Sequence, residues 1–511
     1  MGLAACTVLL FSVLACECSG IKIAMMPQFG RSHYLVMSKL AEELASRGHK
    51  ASVYVGEEAD YAIGKPNVKA FHVPQGLRES FLGNLRAIAS SKGTTSANEE
   101  FEGLVSLQKI YCDSFLNSSS MMREVGTSDV LVGDSLYLCS TLVANKFNLT
   151  HIIINMGPLS TFTMLAFGID TIPAYVPQLM SGLTRYMGLP ERIKNLGFYF
   201  GSRFLMEWFI YPTYKLIKEK HGISPEKSVK ESLSTVDLII MPRDFILDHA
   251  QPIPPFVKVV GFFLPSPPKP LPAELEAFMQ RSGDEGVILL SFGSMIEGLH
   301  NDTMLMMLKA FSQMPQNVLV KLDLNGLPKD SVPPNVRAVK WLPQNDVLGH
   351  SKTKLFITHA GANGLAESAY HGVPMICVPI FGDQFDNSQL AKDIGIAEMI
   401  KVNDMTADQF VSTLQRVLTQ GRFKESSARI SKAMKRRLRA PVAEAADLVE
   451  YVQALGHVDH LKPRGFSMPI YQLYMLDVLA VLVVAFISIV AVVKITIGAC
   501  KSISSNKNKT D

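Results

Sequence analysis

The chain has 511 residues, which is more than one ordinary domain holds, so two or three domains are expected. Its 50 lysine and arginine residues and 46 aspartate and glutamate residues leave a net charge of only +4, and the basic residues are scattered along the chain. This balance excludes the dense basic patch on which nucleic-acid binding depends.

The N-terminal end has the pattern of a targeting segment. Residues 3–15 are apolar and are followed by the small residues Cys18, Ser19 and Gly20. This pattern is typical of a cleaved signal peptide, which we place at residues 1–20. The alternative, a first core strand, is less favoured because a better strand begins at Ile21.

The next segment alternates strand and helix. Residues 21–25 have the pattern of a buried strand, residues 33–47 carry apolar side chains at helical spacing, and residues 51–55 give a second strand. This is the opening unit of a doubly wound α/β fold, in which ligands bind beyond the carboxyl ends of parallel strands. We assign residues 21–264 to this Rossmann-like, acceptor-binding domain.

Two side chains with catalytic chemistry follow strands of this domain. His33 comes just after the first strand, and Asp134 follows another strand at residues 130–132. A histidine and an aspartate at two strand ends can meet across one crevice. The imidazole would then take a proton, and the carboxylate would fix its tautomer. A lone loop histidine is more often a surface residue, so from the residues alone this pair is a hypothesis.

Residues 157–214 differ from the rest of this half. They are rich in Phe, Leu, Met and Tyr, are interrupted by prolines, and include the amphipathic segment 201–211. Two interpretations stay open. The segment forms core helices of the domain, or it is a membrane-leaning insert that lines an apolar acceptor pocket.

A proline-dense stretch separates the two halves of the chain. We interpret residues 265–280 as a stiff linker and residues 281–445 as a second Rossmann-like domain. Its strand at residues 287–291 ends in a glycine turn, where Ser294 can bind a phosphate oxygen. Residues 446–474 are expected to fold back onto the first domain and then lead to the membrane.

The second domain contains a strand, a glycine corner and a helix. Residues 355–358 are an apolar strand, and Gly361 and Gly364 allow a tight turn and close approach of the backbone to a ligand. The free N–H groups of the following helix would face an anion such as a diphosphate, and His359 can add a hydrogen bond. Taken alone, this is also the pattern of a generic strand–glycine–helix turn.

Side chains around this corner suit the other parts of a nucleotide sugar. Trp341 offers a flat apolar face for a base. Glu367, one turn along the helix, can accept hydrogen bonds from two ribose hydroxyls. Asp383 and Gln384, which follow a strand at residues 375–379, offer an acceptor and a donor to a sugar ring.

The stretch from Trp341 to Ala391 resembles the signature of the UDP-glycosyltransferase family, which includes the membrane-bound glucuronosyltransferases of animals. This resemblance implies the GT-B fold, an α/β architecture of two Rossmann-like domains facing each other across a cleft. It also implies that His33 and Asp134 are the catalytic pair. The UDP-sugar contacts implied by the residues and the resemblance together are Ser294, Trp341, Gln344, His359, Gly361, Asn363, Gly364, Glu367, Asp383 and Gln384.

These features predict hexosyl transfer from a UDP-sugar donor to a hydroxyl of a small lipophilic acceptor. Glucuronosyl transfer is favoured, and Arg243 lies one position from where the glucuronosyl-using relatives carry an arginine that could pair with the sugar carboxylate. No Asp-X-Asp motif occurs, so we expect no metal and no cofactor. The helix dipole, backbone amides and His359 would stabilise the leaving UDP in one inverting displacement, with His33 as the base.

Two other functions stay open. The string at residues 188–197 resembles lipid glycosyltransferases of the same family, which would use UDP-glucose or UDP-galactose and a ceramide-like acceptor. The second is a non-enzymatic membrane binding protein on the same scaffold.

The C-terminal end is typical of a membrane anchor. Residues 475–497 are long and apolar enough to span a bilayer. With a signal peptide in front of the body, we expect a single-pass type I protein of the endoplasmic reticulum membrane, with a lumenal body and a cytosolic tail at residues 498–511. Lys507 and Lys509 resemble a dilysine retrieval signal. The lipid bilayer is thus an expected partner, and a homo-oligomer is left open.

Cysteines and sequons fit this assignment. Asn117, Asn148 and Asn301 head lumenal glycosylation sequons. Of the 7 cysteines, three lie in the leader and one lies beyond the membrane segment. The remaining three, Cys112, Cys139 and Cys377, show neither a disulfide framework nor the spacing of a metal site, and the last two are expected in the core.

Overall fold

The protein is described here by a computed structural model. It describes residues 20–77, 79, 83, 97–160, 162–293, 300–322, 324, 326–401 and 405–507. Met1–Val458 forms one compact unit and Asp459–Asp511 forms a second. Ser294 and all of the predicted signal peptide except Gly20 lie outside the described residues.

The first half of the larger unit is built on a parallel sheet of seven strands. They are β1 (Lys22–Met26), β2 (Lys50–Gly56), β3 (Val68–Phe71), β4 (Val130–Asp134), β5 (Thr150–Ile154), β6 (Leu238–Met241) and β7 (Val257–Val259). Their order is β3-β2-β1-β4-β5-β6-β7. This is the Rossmann order with one added strand, and the chain reverses direction across the sheet between β1 and β4, where such folds bind ligands.

Helices cover this sheet and form the segment between β5 and β6. The α-helices are Arg31–Ser46, Ala97–Asn117, Ser119–Val125, Cys139–Phe147, Leu189–Leu205, Tyr211–Lys220 and Val229–Leu233. A π-helical turn, Met206–Ile210, joins two of them, and short 3₁₀ helices lie at Phe162–Phe167 and Phe245–Leu247.

The first helix begins at Arg31, two residues before the predicted start. Gly30 precedes it with a φ of 117°, a conformation that glycine adopts without strain. His33 therefore lies in the first helical turn, and the loop after β1 is shorter than the sequence pattern indicates.

The second half of this unit has a parallel sheet of six strands. They are β8 (Val287–Ser291), β9 (Asn317–Lys321), β10 (Val336–Ala338), β11 (Thr353–Thr358), β12 (Met375–Cys377) and β13 (Ala397–Met399). Their order, β10-β9-β8-β11-β12-β13, is again the Rossmann order, with the switch point between β8 and β11. The prediction of two Rossmann-like domains is confirmed.

Helices flank the second sheet on both faces. They are Ala273–Gln280, Asn301–Phe311, Gln344–Gly349, Ala362–His371, Gln384–Asp393, Ala407–Thr419 and Gly421–Met434, with a short 3₁₀ helix at Lys329–Ser331. The first of them occupies the end of the predicted linker, because the helix formers Ala-Glu-Leu-Glu-Ala follow directly after Pro272.

The helix Pro441–Leu455 returns from the second domain to the first, as the sequence predicts. Arg47, at the end of the first helix, donates hydrogen bonds to Asp447 at 2.8 Å and to Glu450 at 3.1 Å. His49 also lies 3.0 Å from Glu450. These partly exposed pairs orient the helix, whereas burial of apolar residues such as Val449 supplies most of its stabilisation.

Cys112 and Cys139 form a disulfide, so the expectation that the body cysteines form none is wrong. The two residues are 27 positions apart, but their helices bring the Cα atoms to 5.6 Å, within the range a disulfide needs. Spacing along the chain could not reveal this contact. Cys377 is a free buried cysteine, and both Cys139 and Cys377 lie in the core as predicted.

Replacing Cys112 with serine is expected to lower the free energy of unfolding by about 2–4 kcal/mol, because the unfolded chain loses a cross-link and a buried site gains a hydroxyl. Thermal unfolding of the full chain in detergent measures the loss. Cys500→Ser, at an exposed free cysteine, is the control. An unchanged midpoint in Cys112→Ser would contradict the prediction.

The segment between β5 and β6 carries an outward-facing apolar stripe on the helix Leu189–Leu205. In this helix the buried residue is the polar Asn195, whose side chain donates to the carbonyls of Pro173 and Val176 at 2.8 Å each. The large apolar side chains at helical spacing are exposed instead: Leu189, Ile193, Leu196, Phe200, Phe204 and, in the next turn, Trp208. The core-helix interpretation does not account for this face.

The smaller unit is dominated by one long helix, Leu476–Lys507. Before it lie the short helices Asp459–Leu461, Arg464–Ser467 and Ile470–Leu473. The most apolar 18-residue window of Leu476–Lys501 has a mean hydropathy of 3.0, and none of this window is buried within the protein. By length and composition this helix can cross a membrane, as predicted from residues 475–497.

Candidate active site

The side chains of His33 and Asp134 are in contact at the switch point of the first sheet. His33 Nδ1 lies 2.6 Å from Asp134 Oδ2. Asp134 is the last residue of β4 and is fully buried, whereas the His33 side chain keeps 19% of its surface exposed. The pair therefore consists of a fixed carboxylate behind an imidazole that a ligand can reach.

The carboxylate of Asp134 is held by backbone as well as by His33. The N–H of Gln28 donates to Oδ2 at 3.2 Å, and the N–H of Leu136 donates to Oδ1 at 3.0 Å. Burial of His33 disfavours its imidazolium, but the charge and hydrogen bond of Asp134 outweigh burial and raise the pKa of His33 above its usual value. Asp383, from the second domain, adds to this effect.

The glycine corner after β11 surrounds His359. The turn itself is made by Ala360, with a φ of 63°, while Gly361 has a φ of −62° and precedes the helix Ala362–His371. Gly361 is needed for space: a Cβ there would lie 2.6 Å from His359 Nε2, and one on Gly293 would lie 2.8 Å from His359 Cε1. The prediction that Gly361 makes the tight turn is therefore corrected.

His359 itself is half-buried and lies between these two glycines. Burial, with a smaller contribution from Lys321, lowers the pKa of His359 to about 4. The imidazole is therefore neutral at pH 7, and one of its nitrogens carries a hydrogen to donate. Its Nδ1 has no hydrogen-bond partner within the described part of the chain.

Gln344 and Glu367 form a linked pair beside this corner. Gln344 Nε2 donates to Glu367 Oε2 at 2.6 Å, and Ser291 Oγ donates to Gln344 Oε1 at 2.8 Å. Burial raises the pKa of Glu367 to about 7, against the opposing effect of the Gln344 hydrogen bond. Gly364 lies in the helix, where a Cβ would be 3.4 Å from Gln344 Nε2, and Asn363 is half-buried in the first turn.

Asp383 and Gln384 lie at the start of the helix Gln384–Asp393. Asp383 Oδ2 accepts a hydrogen bond from Asn387 at 2.8 Å, and the carboxylate is within electrostatic reach of His33 and Arg243. Gln384 Oε1 already accepts from the N–H groups of Ile380 and Phe381 at 2.8 and 3.1 Å, so its amide hydrogens are the part left for a ligand. Asp383 therefore faces the catalytic pair from the second domain.

Trp341 differs from the other predicted site residues because it is exposed. Trp341 is 55% exposed to solvent, and the guanidinium carbon of Arg31 lies 3.7 Å from the centre of its ring. A flat aromatic face with this exposure can accept a stacked base. Sequence reasoning found Trp341 and missed Arg31, because a contact between domains leaves no local pattern.

Asp386 is a second residue that sequence reasoning missed. It lies in the first turn of the helix Gln384–Asp393, and its carboxylate accepts hydrogen bonds from the N–H groups of Met180 and Gly182, at 2.5 and 2.8 Å. Burial raises its pKa to about 6, so the carboxylate is largely ionised at pH 7. This contact joins the insert of the first domain to the helix that carries Gln384.

Solved structures identify the class to which this fold belongs. The calicheamicin glycosyltransferase CalG4 matches with a TM-score of 0.61 and 17% identity, over 85% of this chain and 98% of that one. A UDP-glucose:anthocyanidin 3-O-glucosyltransferase solved in complex with UDP matches with a TM-score of 0.57 and 17% identity, over 85% and 99%. The fold is that of the GT-B glycosyltransferases.

Sequence comparison identifies the family. The chain belongs to the UDP-glucoronosyl and UDP-glucosyl transferase family, whose model matches residues 17–510. UDP-glucuronosyltransferase 2B7 of Homo sapiens is 29% identical over 87% of this chain and 86% of its own length. UDP-glucuronosyltransferase 3A1 of Bos taurus is 30% identical over 89% and 88%. The protein is thus a UDP-sugar-dependent glycosyltransferase. The predicted family, fold class and enzyme class are confirmed.

Proposed function

We propose that the protein transfers a glucuronosyl group from UDP-glucuronate to a hydroxyl of a small lipophilic acceptor. The observation that carries this proposal is that His33, oriented by Asp134, faces Asp383 of the donor domain. A hydroxyl beside His33 would thus meet a sugar held at Asp383. The named curated relatives are UDP-glucuronosyltransferases, which favours this sugar.

The proposed reaction is a single inverting displacement. His33 Nε2 accepts the proton of the acceptor hydroxyl, while the bond to Asp134 keeps the hydrogen on Nδ1. The acceptor oxygen forms a bond to the anomeric carbon as the bond to UDP breaks. The proton stays on the imidazole, whose charge Asp134 balances, and the electron pair leaves with the diphosphate.

The donor side stabilises the leaving group without a metal ion. Neutral His359 donates a hydrogen bond to the diphosphate, and the first N–H groups of the helix Ala362–His371 face it. Asn363 and Ser294 add donors, Trp341 stacks on the uracil, and Gln344 orients Glu367 for the ribose. Metal independence rests on the sequence, which has no Asp-X-Asp motif.

Arg243 is the group that would recognise a glucuronate carboxylate. It is buried, its Nε donates to Asp248 at 2.7 Å and its Nη1 to the Met156 carbonyl at 3.1 Å, and it lies within electrostatic reach of Asp383. A guanidinium held in this way near Asp383 supports the proposal, because a sugar carboxylate bound beside Asp383 can pair with it.

A donor and acceptor panel tests the proposed function. UDP-glucuronate, UDP-glucose, UDP-galactose and UDP-N-acetylglucosamine are each offered with a phenol and with a sphingolipid. We expect UDP-glucuronate with the phenol to give the highest kcat/KM, and Arg243→Lys to lower the preference for UDP-glucuronate over UDP-glucose. Highest activity with UDP-galactose or UDP-glucose and the sphingolipid would instead identify a lipid glycosyltransferase.

The membrane assignment belongs to the same proposal. The helix Leu476–Lys507 anchors the chain in the endoplasmic reticulum membrane with the body in the lumen, and the exposed apolar stripe on Leu189–Leu205 suits contact with lipid. The Cys112–Cys139 disulfide favours an oxidising compartment. Protease protection in sealed microsomes tests this orientation, and digestion of the body without detergent would contradict it.

UDP-sugar affinity is expected to fall about tenfold between pH 7.5 and pH 6, because Glu367 must be ionised to accept the ribose hydroxyls. The pKa of Glu367 is about 7 in the free protein. Binding would lower it, so protons compete with the donor as the pH falls. Titration with UDP-glucose at each pH measures the affinity. The diphosphate of UDP-glucose does not change its ionisation between pH 6 and pH 7.5, so the change reports on the protein.

Glu367→Gln is the control for this pH dependence. At pH 7.5 this variant should bind UDP-glucose more weakly than the wild type does. Its affinity for UDP-glucose should change very little between pH 7.5 and pH 6. Equal affinity of the wild type at both pH values would refute the assignment of Glu367 to the ribose.

A further inference from the structure

Arg31 is a cation of the acceptor domain that lies against the donor domain. It begins the helix Arg31–Ser46, two residues before His33, and its guanidinium carbon is 3.7 Å from the ring centre of Trp341. Its Nε is buried and has no hydrogen-bond acceptor among the residues that the structure describes. A buried guanidinium N–H without an acceptor is unfavourable, so this position suits an anion.

Lys321 is a second cation, and it lies between Arg31 and the neutral His359 of the donor site. Lys321 ends β9, its Nζ lies 5.1 Å from the same Trp341 ring, and it donates to the Gly293 carbonyl. Burial and then the charge of Arg31 lower the pKa of Lys321 to about 8. Within the described chain, the charge that acts most strongly on Lys321 is therefore another cation.

The position of these two cations indicates which part of a donor they face. In the proposed function Trp341 stacks on the base, and Asp383 and Arg243 face the sugar. Lys321 lies beside Gly293 and acts on His359, and the charge of Arg31 acts on Lys321. In a UDP-sugar the diphosphate joins the base-bearing ribose to the sugar. The charge of Asp60 also acts on Arg31, but the Nε–H of Arg31 has no acceptor within the described chain, and a diphosphate oxygen can accept from it.

We propose that Arg31 reaches across the cleft and binds the donor diphosphate together with Lys321. This rests on the proposed function, which supplies the UDP-sugar. Because Arg31 and His33 share one helical turn, a bound donor would anchor the N-terminus of that helix and hold the catalytic histidine in place. Arg31 is thus a donor-binding residue that the acceptor domain contributes.

Comparison of UDP with uridine tests this role. Arg31→Met removes the charge and keeps an apolar stem over Trp341. We expect the Kd for UDP to rise about tenfold or more, as for loss of a charge-assisted hydrogen bond, and the Kd for uridine to change less than about twofold. Arg123→Met, on the exposed face of the helix Ser119–Val125, is the matched control and should leave both unchanged.

The outcomes separate the two proposals. An equal loss of UDP and uridine binding in Arg31→Met would show that the guanidinium acts only by stacking on the base or on Trp341, and would overturn the inference. An unchanged Kd for UDP would overturn it as well. If the wild type binds no UDP, the proposed function itself fails. Both Kd values are measured on the same preparation of each variant. A partly unfolded preparation therefore does not alter the ratio of the Kd for UDP to the Kd for uridine.

Discussion

Replacing His33 with alanine is expected to lower kcat by about 10²–10⁴-fold while leaving the Kd for UDP within about twofold of the wild type. The imidazole is the proposed group that takes the acceptor proton. Its hydrogen bond is to Asp134 of its own domain, so we expect its removal to leave UDP binding almost unchanged. Without it, the hydroxyl must attack while still carrying its proton.

His72→Ala is the matched control, because the side chain of His72 is 80% exposed on the same domain and pairs with Glu57. It should retain full activity. Rates with saturating UDP-sugar and acceptor, together with UDP titration, separate chemistry from donor binding. Wild-type kcat in His33→Ala would show that another group is the base.

The parallel strands and the donor corner could be predicted because they are local. The apolar run at residues 287–291 has the observed strand bounds, and Gly361 is followed by a helix whose first N–H groups can bind an anion, as the local pattern indicates. The meeting of His33 and Asp134 was also predictable in outline, because strands of a parallel sheet end at one edge.

Contacts that depend on how helices and domains pack against one another could not be predicted. The Cys112–Cys139 bond depends on how two helices pack, and the Asp386 contact to the insert joins residues more than 200 positions apart. The turn at Ala360 is a different case. The sequence pattern predicts a tight turn at Gly361, but Ala360 has the positive φ, and Gly361 is needed because a Cβ there would clash with the His359 ring.

Two contacts across the cleft lie on either side of the catalytic pair. Arg31 meets Trp341, and Asp386 accepts hydrogen bonds from the backbone of Met180 and Gly182. Each contact joins the first domain to the second. If His33 is the base, these contacts hold it at a set distance from a sugar bound by the other domain.

Replacing Asp134 with asparagine is expected to lower kcat/KM by about 10²–10⁴-fold and to move the acid limb of the pH profile to lower pH. If His33 is the base, activity requires its neutral form, and the charge and hydrogen bond of Asp134 raise the pKa of His33. The rate therefore rises with pH as that proton is lost. Without the carboxylate charge, burial dominates and the pKa falls.

The loss of rate follows from the hydrogen bonds around this residue. Both carboxylate oxygens accept from backbone, Oδ2 from Gln28 and Oδ1 from Leu136, and Oδ2 also accepts from His33. An amide has only one oxygen, so if it serves the backbone at Leu136, its NH₂ group faces His33 Nδ1. The imidazole would then carry its hydrogen on Nε2, where it cannot accept a proton from the acceptor hydroxyl.

Asp129→Asn is the control, because Asp129 precedes the same strand at its other end and its carboxylate also accepts a backbone N–H, from Lys22 at 2.7 Å. It should keep wild-type kcat/KM and an unchanged pH profile. The profile separates orientation from folding, since a structural defect lowers the rate at every pH without moving the acid limb. An Asp134→Asn enzyme whose acid limb stays in place would show that this carboxylate does not act through His33.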